Sequence, residues 1–265
     1  MKNNKPIGVF DSGIGGLTVL SKLAEVFPCE DFIYVGDTLN CPYGTRSPEE
    51  IASLVTNVVN YLLDQDVKAI VIACNTATAN SSHLREFVKI PIIGAIEPTA
   101  KYALKVSKNK NIAVLATNAT IDSRSYHKII DKKRLFPRGK KYFVKCSEFV
   151  TAIEDNQFVN EYSYKLVKDK LSFLTDKKID TVVLGCTHFG LYTPEITSVL
   201  PEAKLVDCGW PISQALKKIM KKEELMADDY RTGIILIATT GDPQIMKKQI
   251  GWFDKGYQGV FKIQI

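Results

Sequence analysis

Nowhere in the 265 residues does an apolar run approach the roughly 20 residues that a membrane-spanning helix needs. The short lead-in Met1 to Lys5 contains no apolar leader segment. The chain therefore reads as cytoplasmic, with little material for an N-terminal regulatory extension. Its six cysteines (29, 41, 74, 146, 186 and 208) form no CxxC pair and show no metal-ligand spacing. A disulfide framework and a zinc site are thereby excluded, and in a reducing compartment all six are expected as thiols. Cys29 and Cys41 carry no further signal and read as structural. A nucleotide-binding loop is also missing. The Gly13-Ile14-Gly15-Gly16 turn fits neither the Walker pattern nor GxGxxG, because position 18 is Thr. There is no repeat of the solenoid kind, and no lysine-centred signature of a pyridoxal site.

Basic residues outnumber acidic ones 35 to 29, for a net charge of +6. The basic stretches are Lys132-Lys133-Arg134, Arg138 to Lys141, and Lys217-Lys218 with Lys221-Lys222. None is interleaved with aromatic residues. They read as solvated helix faces and loops, with no nucleic-acid partner, although a modest positive field would draw an anionic small molecule inward. What remains, with 45% hydrophobic and 24% charged residues, is the composition of a globular protein.

One pattern occurs twice. Ala69-Ile70-Val71-Ile72-Ala73 runs into Cys74-Asn75-Thr76, and Asp180-Thr181-Val182-Val183-Leu184-Gly185 runs into Cys186-Thr187-His188. Each is a short β-branched run of the kind that forms a strand buried on both faces, and each ends in a thiol followed by small hydrogen-bonding residues. In open α/β sheets, ligands bind just past the carboxyl ends of strands.

The remaining chain supports such sheets. Ile7 to Phe10 reads as a strand, and the glycine-rich exit Asp11 to Leu17 opens a helix to about Phe27. Two readings stay open for Asp11 and Ser12: caps of that helix alone, or members of a site in addition. Asp31 to Val35 is a second strand with a long exit loop, and Ser47-Pro48-Glu49-Glu50 is a capping box with proline at the first helical position. That helix is expected to run to about Asp64. The third strand delivers Cys74 to a helix start, where the dipole lowers a thiol pKa below its usual value of about 8.5. A strand at Ile92 to Gly94 follows, and Glu97-Pro98 reads as a break. The pattern then restarts with helix 99–107, strand Ile112 to Ala116, and Thr117-Asn118-Ala119-Thr120 opening a helix. Strand Tyr142 to Lys145, the stretch Cys146 to Glu154 and helix 160–174 lead to the Cys186 strand. Helix 194–200, strand Lys204 to Val206, helix 211–222, an acidic loop Glu223 to Asp229 and strand Ile234 to Ala238 come next. A helix capped by Asp242-Pro243 and a short strand within Gly259 to Ile265 close the chain. Alternating strands and helices imply α/β architecture with parallel sheets. A single doubling implies two similar open parallel-sheet lobes, helices on both faces, with an active-site cleft between them.

Inverting an amino-acid α-carbon removes a proton from one face and returns one to the other, so a fixed substrate needs a base on each side. Thiols suit that task, because either protonation state is accessible near neutral pH. Acid–base transfer supplies about 10²–10⁴-fold, so charge stabilisation in a dry site must supply the rest. Ser12, Asn75 and Thr76 beside Cys74, and Thr120, Thr187 and His188 beside Cys186, are candidate donors. Asp11 or Glu154 is a candidate for holding a substrate ammonium or tuning a thiol. A metal on Cys186 and His188 lacks further ligands at a recognisable spacing.

The stretches Gly8 to Leu17, Pro42 to Thr45, Ala73 to Ala77 and Leu184 to His188 resemble bacterial glutamate racemases. Weaker similarity runs through Ile96 to Pro98, Phe149 to Glu154, Leu205 to Asp207 and Thr240 to Pro243, nearly end to end. The resemblance implies cofactor-independent interconversion of L- and D-glutamate, supplying D-glutamate for peptidoglycan, by a homodimer. It implies a first lobe of residues 1–97 completed by 210–265, and a second of 98–209. Carried over by position, Cys74 is the base for D-glutamate and Cys186 the base for L-glutamate. Asp11, Ser12, Tyr43, Gly44, Asn75, Thr76, Thr120, Thr187 and His188 bind substrate or assist the thiols, and Glu154 supports. Two departures stand out: Gly190 where the family often has proline, and Ser147-Glu148 where it has Pro-Leu. Related aspartate racemases carry a histidine where Thr78 stands, which leans the substrate toward glutamate. Two alternatives remain: an aspartate or other acidic amino-acid racemase using the same thiols, and a non-catalytic two-lobed amino-acid binding protein.

Overall fold

The computed structural model describes residues 3–131 and 139–265. Lys132-Lys133-Arg134 and Arg138, part of the basic stretches read as solvated, lie outside the described residues. In chain order the first elements are β1 (Ile7–Asp11), α1 (Leu17–Val26), β2 (Phe32–Gly36), α2 (Pro48–Asp64), β3 (Ala69–Ile72), α3 (Asn75–Ala79) and β4 (Ile92–Gly94). The next are α4 (Ile96–Val106), β5 (Ile112–Ala116), α5 (Asn118–Asp122), α6 (Ser125–Ile130), β6 (Lys141–Lys145), α7 (Ser147–Glu154), α8 (Glu161–Leu171), β7 (Thr181–Gly185), α9 (Thr193–Val199) and β8 (Lys204–Val206). Then come α10 (Gly209–Lys222), β9 (Ile235–Thr239), α11 (Pro243–Gln249) and β10 (Val260–Lys262). These divide into two compact units, Met1–Ala95 with Gly209–Ile265, and Ile96–Cys208.

The first unit holds a six-stranded sheet in the order β10-β9-β2-β1-β3-β4. Every pairing in it is parallel. All five residues of β1 and all four of β3 are buried, so both faces of the central strands are covered. The second unit holds a four-stranded parallel sheet, β6-β5-β7-β8, whose central β5 and β7 are buried throughout. The core of the second unit gathers Leu115, Val182, Leu184, Phe149, Phe189, Tyr192 and Ile196. The order β2-β1-β3-β4 in one sheet recurs as β6-β5-β7-β8 in the other. In each, successive connections leave a central strand in opposite directions, which makes a switch point at its carboxyl end.

Local chemistry explains the element ends. The capping box forms: Ser47 Oγ accepts from the Glu50 amide at 3.2 Å, and Glu50 Oε2 accepts from the Ser47 amide at 2.9 Å. Asp242 caps α11 with proline at the first helical position. Two expectations are corrected. Glu97-Pro98 is no break, because α4 begins at Ile96 and Pro98 sits in its first turn, where a missing N–H costs nothing. Nor do Asp11 and Ser12 cap α1: its N-cap is Gly16, without a side-chain bond, and Asp11 Oδ1 instead accepts from the Gly13 amide at 3.0 Å. The close turn explains Gly16, where an added Cβ would lie 2.4 Å from Asp11 Cβ. Among the described residues, no helix is long and apolar enough to cross a membrane.

At the opposite, amino-terminal end of the first sheet, Lys68 and Glu30 form a buried ion pair at 2.5 Å, with 3% and 2% exposure. Glu30 Oε1 also accepts from the Ala227 amide, tying the acidic loop after α10 to the strand ends. Burial pulls the Lys68 pKa down, and Glu30 opposes that pull. Removing one partner leaves the other charge buried alone, at a cost of about 3–5 kcal/mol. Lys68→Met is accordingly expected to lower unfolding free energy by that amount in urea titration. A loss below about 1 kcal/mol, the value of an exposed pair, would contradict this role.

Candidate active site

In the first unit, Cys74 follows β3 and is the N-cap of α3. Its sulfur accepts from the Ala77 amide at 3.4 Å, and Ser12 Oγ lies 3.6 Å from it. The strand register sets that contact: Phe10 pairs with Ile72 in the parallel β1–β3 ladder, so two residues further along both strands Ser12 meets Cys74. Asp11, Ser12, Cys74, Asn75 and Thr76 are all buried, from 0% to 6% exposed. Tyr43 is buried too and opens a short 3-10 turn with Gly44, which is half-buried. Burial, then the Asp37 carboxylate, then Cys74 and Asp11 raise the Tyr43 pKa far above its usual range, so the phenol stays neutral. Its hydroxyl donates to Asp37 Oδ2 at 2.6 Å.

Asp37 was not singled out from the sequence. It is fully buried just past β2 and accepts from Tyr43, from Asn40 Nδ2 at 3.0 Å and from Thr240 Oγ1 at 2.6 Å. The available signal was its place in Gly36-Asp37-Thr38, at a strand end like Asp11. Tyr34 was missed as well; its hydroxyl donates to the Gly13 carbonyl at 2.7 Å and holds the glycine turn. Thr78 donates to the Cys74 carbonyl and accepts from the Ala95 amide, so it serves the backbone beside the thiol.

In the second unit, Cys186 follows β7 and is half-buried. His188 Nδ1 lies 3.7 Å from its sulfur, and His188 Nε2 lies 2.5 Å from Glu154 Oε1, at the end of α7. Burial alone would pull the His188 pKa down. Hydrogen bonds to Cys186 and Glu154, with their charges, outweigh burial and hold it well above its usual value. An imidazolium with both nitrogens donating fits this line of three groups. Thr120 is fully buried in α5 and hydrogen-bonded to Thr117 at 2.9 Å, while Thr187 is buried next to the thiol. Ala116 pairs with Gly185 in the β5–β7 ladder, which brings the Thr117 turn alongside Cys186.

Each unit thus brings its own candidate residues together around one thiol. Ser147 accepts from the Asn118 amide at 2.8 Å and Glu148 pairs with Lys170 at 2.5 Å, so both residues of that departure have partners. An added Cβ on Gly190 would meet nothing within 4 Å. Among the described residues, no group of three or more His, Cys, Asp or Glu is placed to hold a metal ion.

The model of the Asp/Glu/hydantoin racemase family matches residues 7–212. The chain belongs to that family. Within the racemases, glutamate racemase 2 of Caldanaerobacter subterraneus subsp. tengcongensis is 38% identical over 247 residues, 93% of this chain and 92% of that protein. The crystal structure of glutamate racemase isoform RacE1 from Bacillus anthracis matches with a TM-score of 0.90 at 34% identity, covering 99% of this chain and 98% of that one. Glutamate racemase from Francisella tularensis subsp. tularensis SCHU S4, in complex with D-glutamate, matches with a TM-score of 0.89 at 32% identity, again over 99% and 98%. The two-sheet racemase architecture is therefore shared over essentially the whole chain.

The histidine pKa has a thermodynamic consequence. A pKa raised in the folded state adds stability that is complete below the unfolded value of about 6.5 and fades as pH rises through the higher folded value. Glu154→Gln removes the carboxylate that helps raise it. The destabilisation of Glu154→Gln, read from urea midpoints, is expected to be largest near pH 6 and to shrink toward alkaline pH. A penalty independent of pH would show that the Glu154–His188 pair is not charged.

Proposed function

We propose that this protein is a glutamate racemase, interconverting L- and D-glutamate without a cofactor and supplying D-glutamate for peptidoglycan. The observation that carries the proposal is a thiol placed after the corresponding strand of each sheet, β3 and β7, with its own polar partners. Glutamate as substrate is supported by near-full-length similarity to glutamate racemases, one of them solved with D-glutamate. Thr78, occupied by backbone partners, stands where aspartate racemases carry a histidine.

In the proposed reaction, Cys74 takes the α-proton of D-glutamate or Cys186 that of L-glutamate. The opposite thiol gives its proton to the other face of the same carbon. One sulfur enters as thiolate and the other as thiol, and after turnover their states are exchanged. The carbanion spreads its charge onto the carboxylate, where positioned donors and the cationic His188 offset it. Asn75, Thr76, Thr120 and Thr187 are the donors, and Tyr43 and Gly44 help to bind the substrate. Asp11 and Ser12 serve the Cys74 side, and Glu154 supports through His188. We further assign the chain to the cytoplasm, as a homodimer.

The test is incubation of either glutamate enantiomer in D₂O. The inverted product should carry deuterium at the α-carbon, because the donating thiol exchanges with solvent. Unchanged chirality and isotope content would instead mark a binding protein, and turnover of aspartate in place of glutamate would reassign the substrate. Cys74→Ser and Cys186→Ser are each expected to lose at least about 10²–10⁴-fold in racemisation with the fold intact by circular dichroism. Full activity in either variant would end the two-base assignment.

A further inference from the structure

Glu154 is the last residue of α7, a position that frays unless something secures it. Here the helix ends in a Schellman turn. Asn156 takes the left-handed conformation with φ 57°, its amide bonds to the Ile153 carbonyl at 2.9 Å, and the Gln157 amide bonds to the Ala152 carbonyl at 2.7 Å. Three residues after Asn156, Val159 is also left-handed, with φ 52°. That conformation is costly for a β-branched side chain, so the turn needs outside support.

The support comes from the segment that carries His188. Tyr192 Oη donates to the Gln157 carbonyl at 2.7 Å, and Glu195 Oε1 accepts from the strained Val159 amide at 2.6 Å. Ser163 Oγ, in the first turn of α8, lies 2.7 Å from the same oxygen. Glu195 is wholly buried, and its Oε2 has no hydrogen-bond partner among the described residues. An apolar residue would avoid that desolvation cost. The Phe149 ring, on α7, packs edge-on against Phe189 at 5.5 Å and Tyr192 at 5.3 Å, so the rest of α7 is anchored to the same segment.

We propose that Tyr192 and Glu195 are positioning residues. By holding the Gln157 carbonyl and the Val159 amide, they set the Glu154 carboxylate against His188. Helix α7 and the 187–195 segment are thereby locked in one register, and the Glu154–His188–Cys186 line depends on it. Small displacements in such a line are expensive in rate.

The test compares the protein with Tyr192→Phe, Glu195→Ala and the double variant Glu195→Ala with Val159→Asn. Two quantities are read: kcat and KM for glutamate, and the titration of the His188 ring by NMR. The titratable groups facing that ring are Glu154 and Cys186. Glu195→Ala should lower kcat about ten- to a hundredfold with KM little changed, and should move the His188 midpoint down toward about 6.5. Adding Val159→Asn should recover much of both, since Asn accepts the left-handed backbone that Val resists. A folded Glu195→Ala with unaltered kcat and midpoint would overturn the proposal, as would losses that Val159→Asn leaves untouched. Should Glu195→Ala fail to fold, Tyr192→Phe decides: a smaller shift of both quantities in the same directions supports the clamp, and no shift refutes it. The kinetic arm rests on the racemase reading, whereas the NMR arm does not. A wild-type chain that leaves glutamate unchanged would sink that reading and leave the clamp to the His188 titration.

Discussion

A parallel strand covered on both faces offers a ligand one point of access, just beyond its carboxyl end. Every other side chain along it is committed to the core, and its backbone groups are committed to the ladder. β3 and β7 are such strands, and each releases a cysteine at that point. The recurring strand order places both beside the central strand at which the connections diverge, where the loops part and a small molecule can approach. The position of each thiol is thus a consequence of sheet topology before any catalytic residue is considered.

The surroundings of the two thiols differ in kind. Cys74 is served by a backbone amide and a serine hydroxyl, with buried Asp11 and a neutral Tyr43 close by. Cys186 faces a histidine whose pKa is held well above its usual value, against burial, by Cys186 itself and by Glu154. In the proposed reaction one sulfur must be ionised while the other is protonated, and dissimilar surroundings allow the two states to be balanced separately.

Both halves rest on buried polar groups whose main partners are main-chain atoms or hydroxyls. Asp37 gathers the Tyr43 loop and the turn after β9, and Glu195 gathers the turn after α7. Such groups cost desolvation and are tolerated when they are hydrogen-bonded. What they provide is a definite position for the loop that leads to Tyr43 and for the turn that follows Glu154 at the end of α7.

The strand-ending cysteines, the capping box at Ser47, the glycine turn after β1 and nearly every element were legible in the sequence alone. Periodicity, caps and β-branched runs are local signals, and a buried parallel strand advertises itself by composition. Helix α4 was the exception, since a proline in a first turn and a proline that ends a helix look alike without knowledge of what precedes them. Sequence resemblance likewise drew His188 and Glu154 into one site. That they touch, and that burial and ion pairing compete at His188 with ion pairing prevailing, was decided by tertiary structure. So were the roles of Asp37, Tyr192 and Glu195, whose partners come from Tyr43, Thr240, Gln157 and Val159. A pattern along the chain records what each residue prefers, but hydrogen bonds across loops depend on which segments the sheets bring together, and that is written in no single stretch.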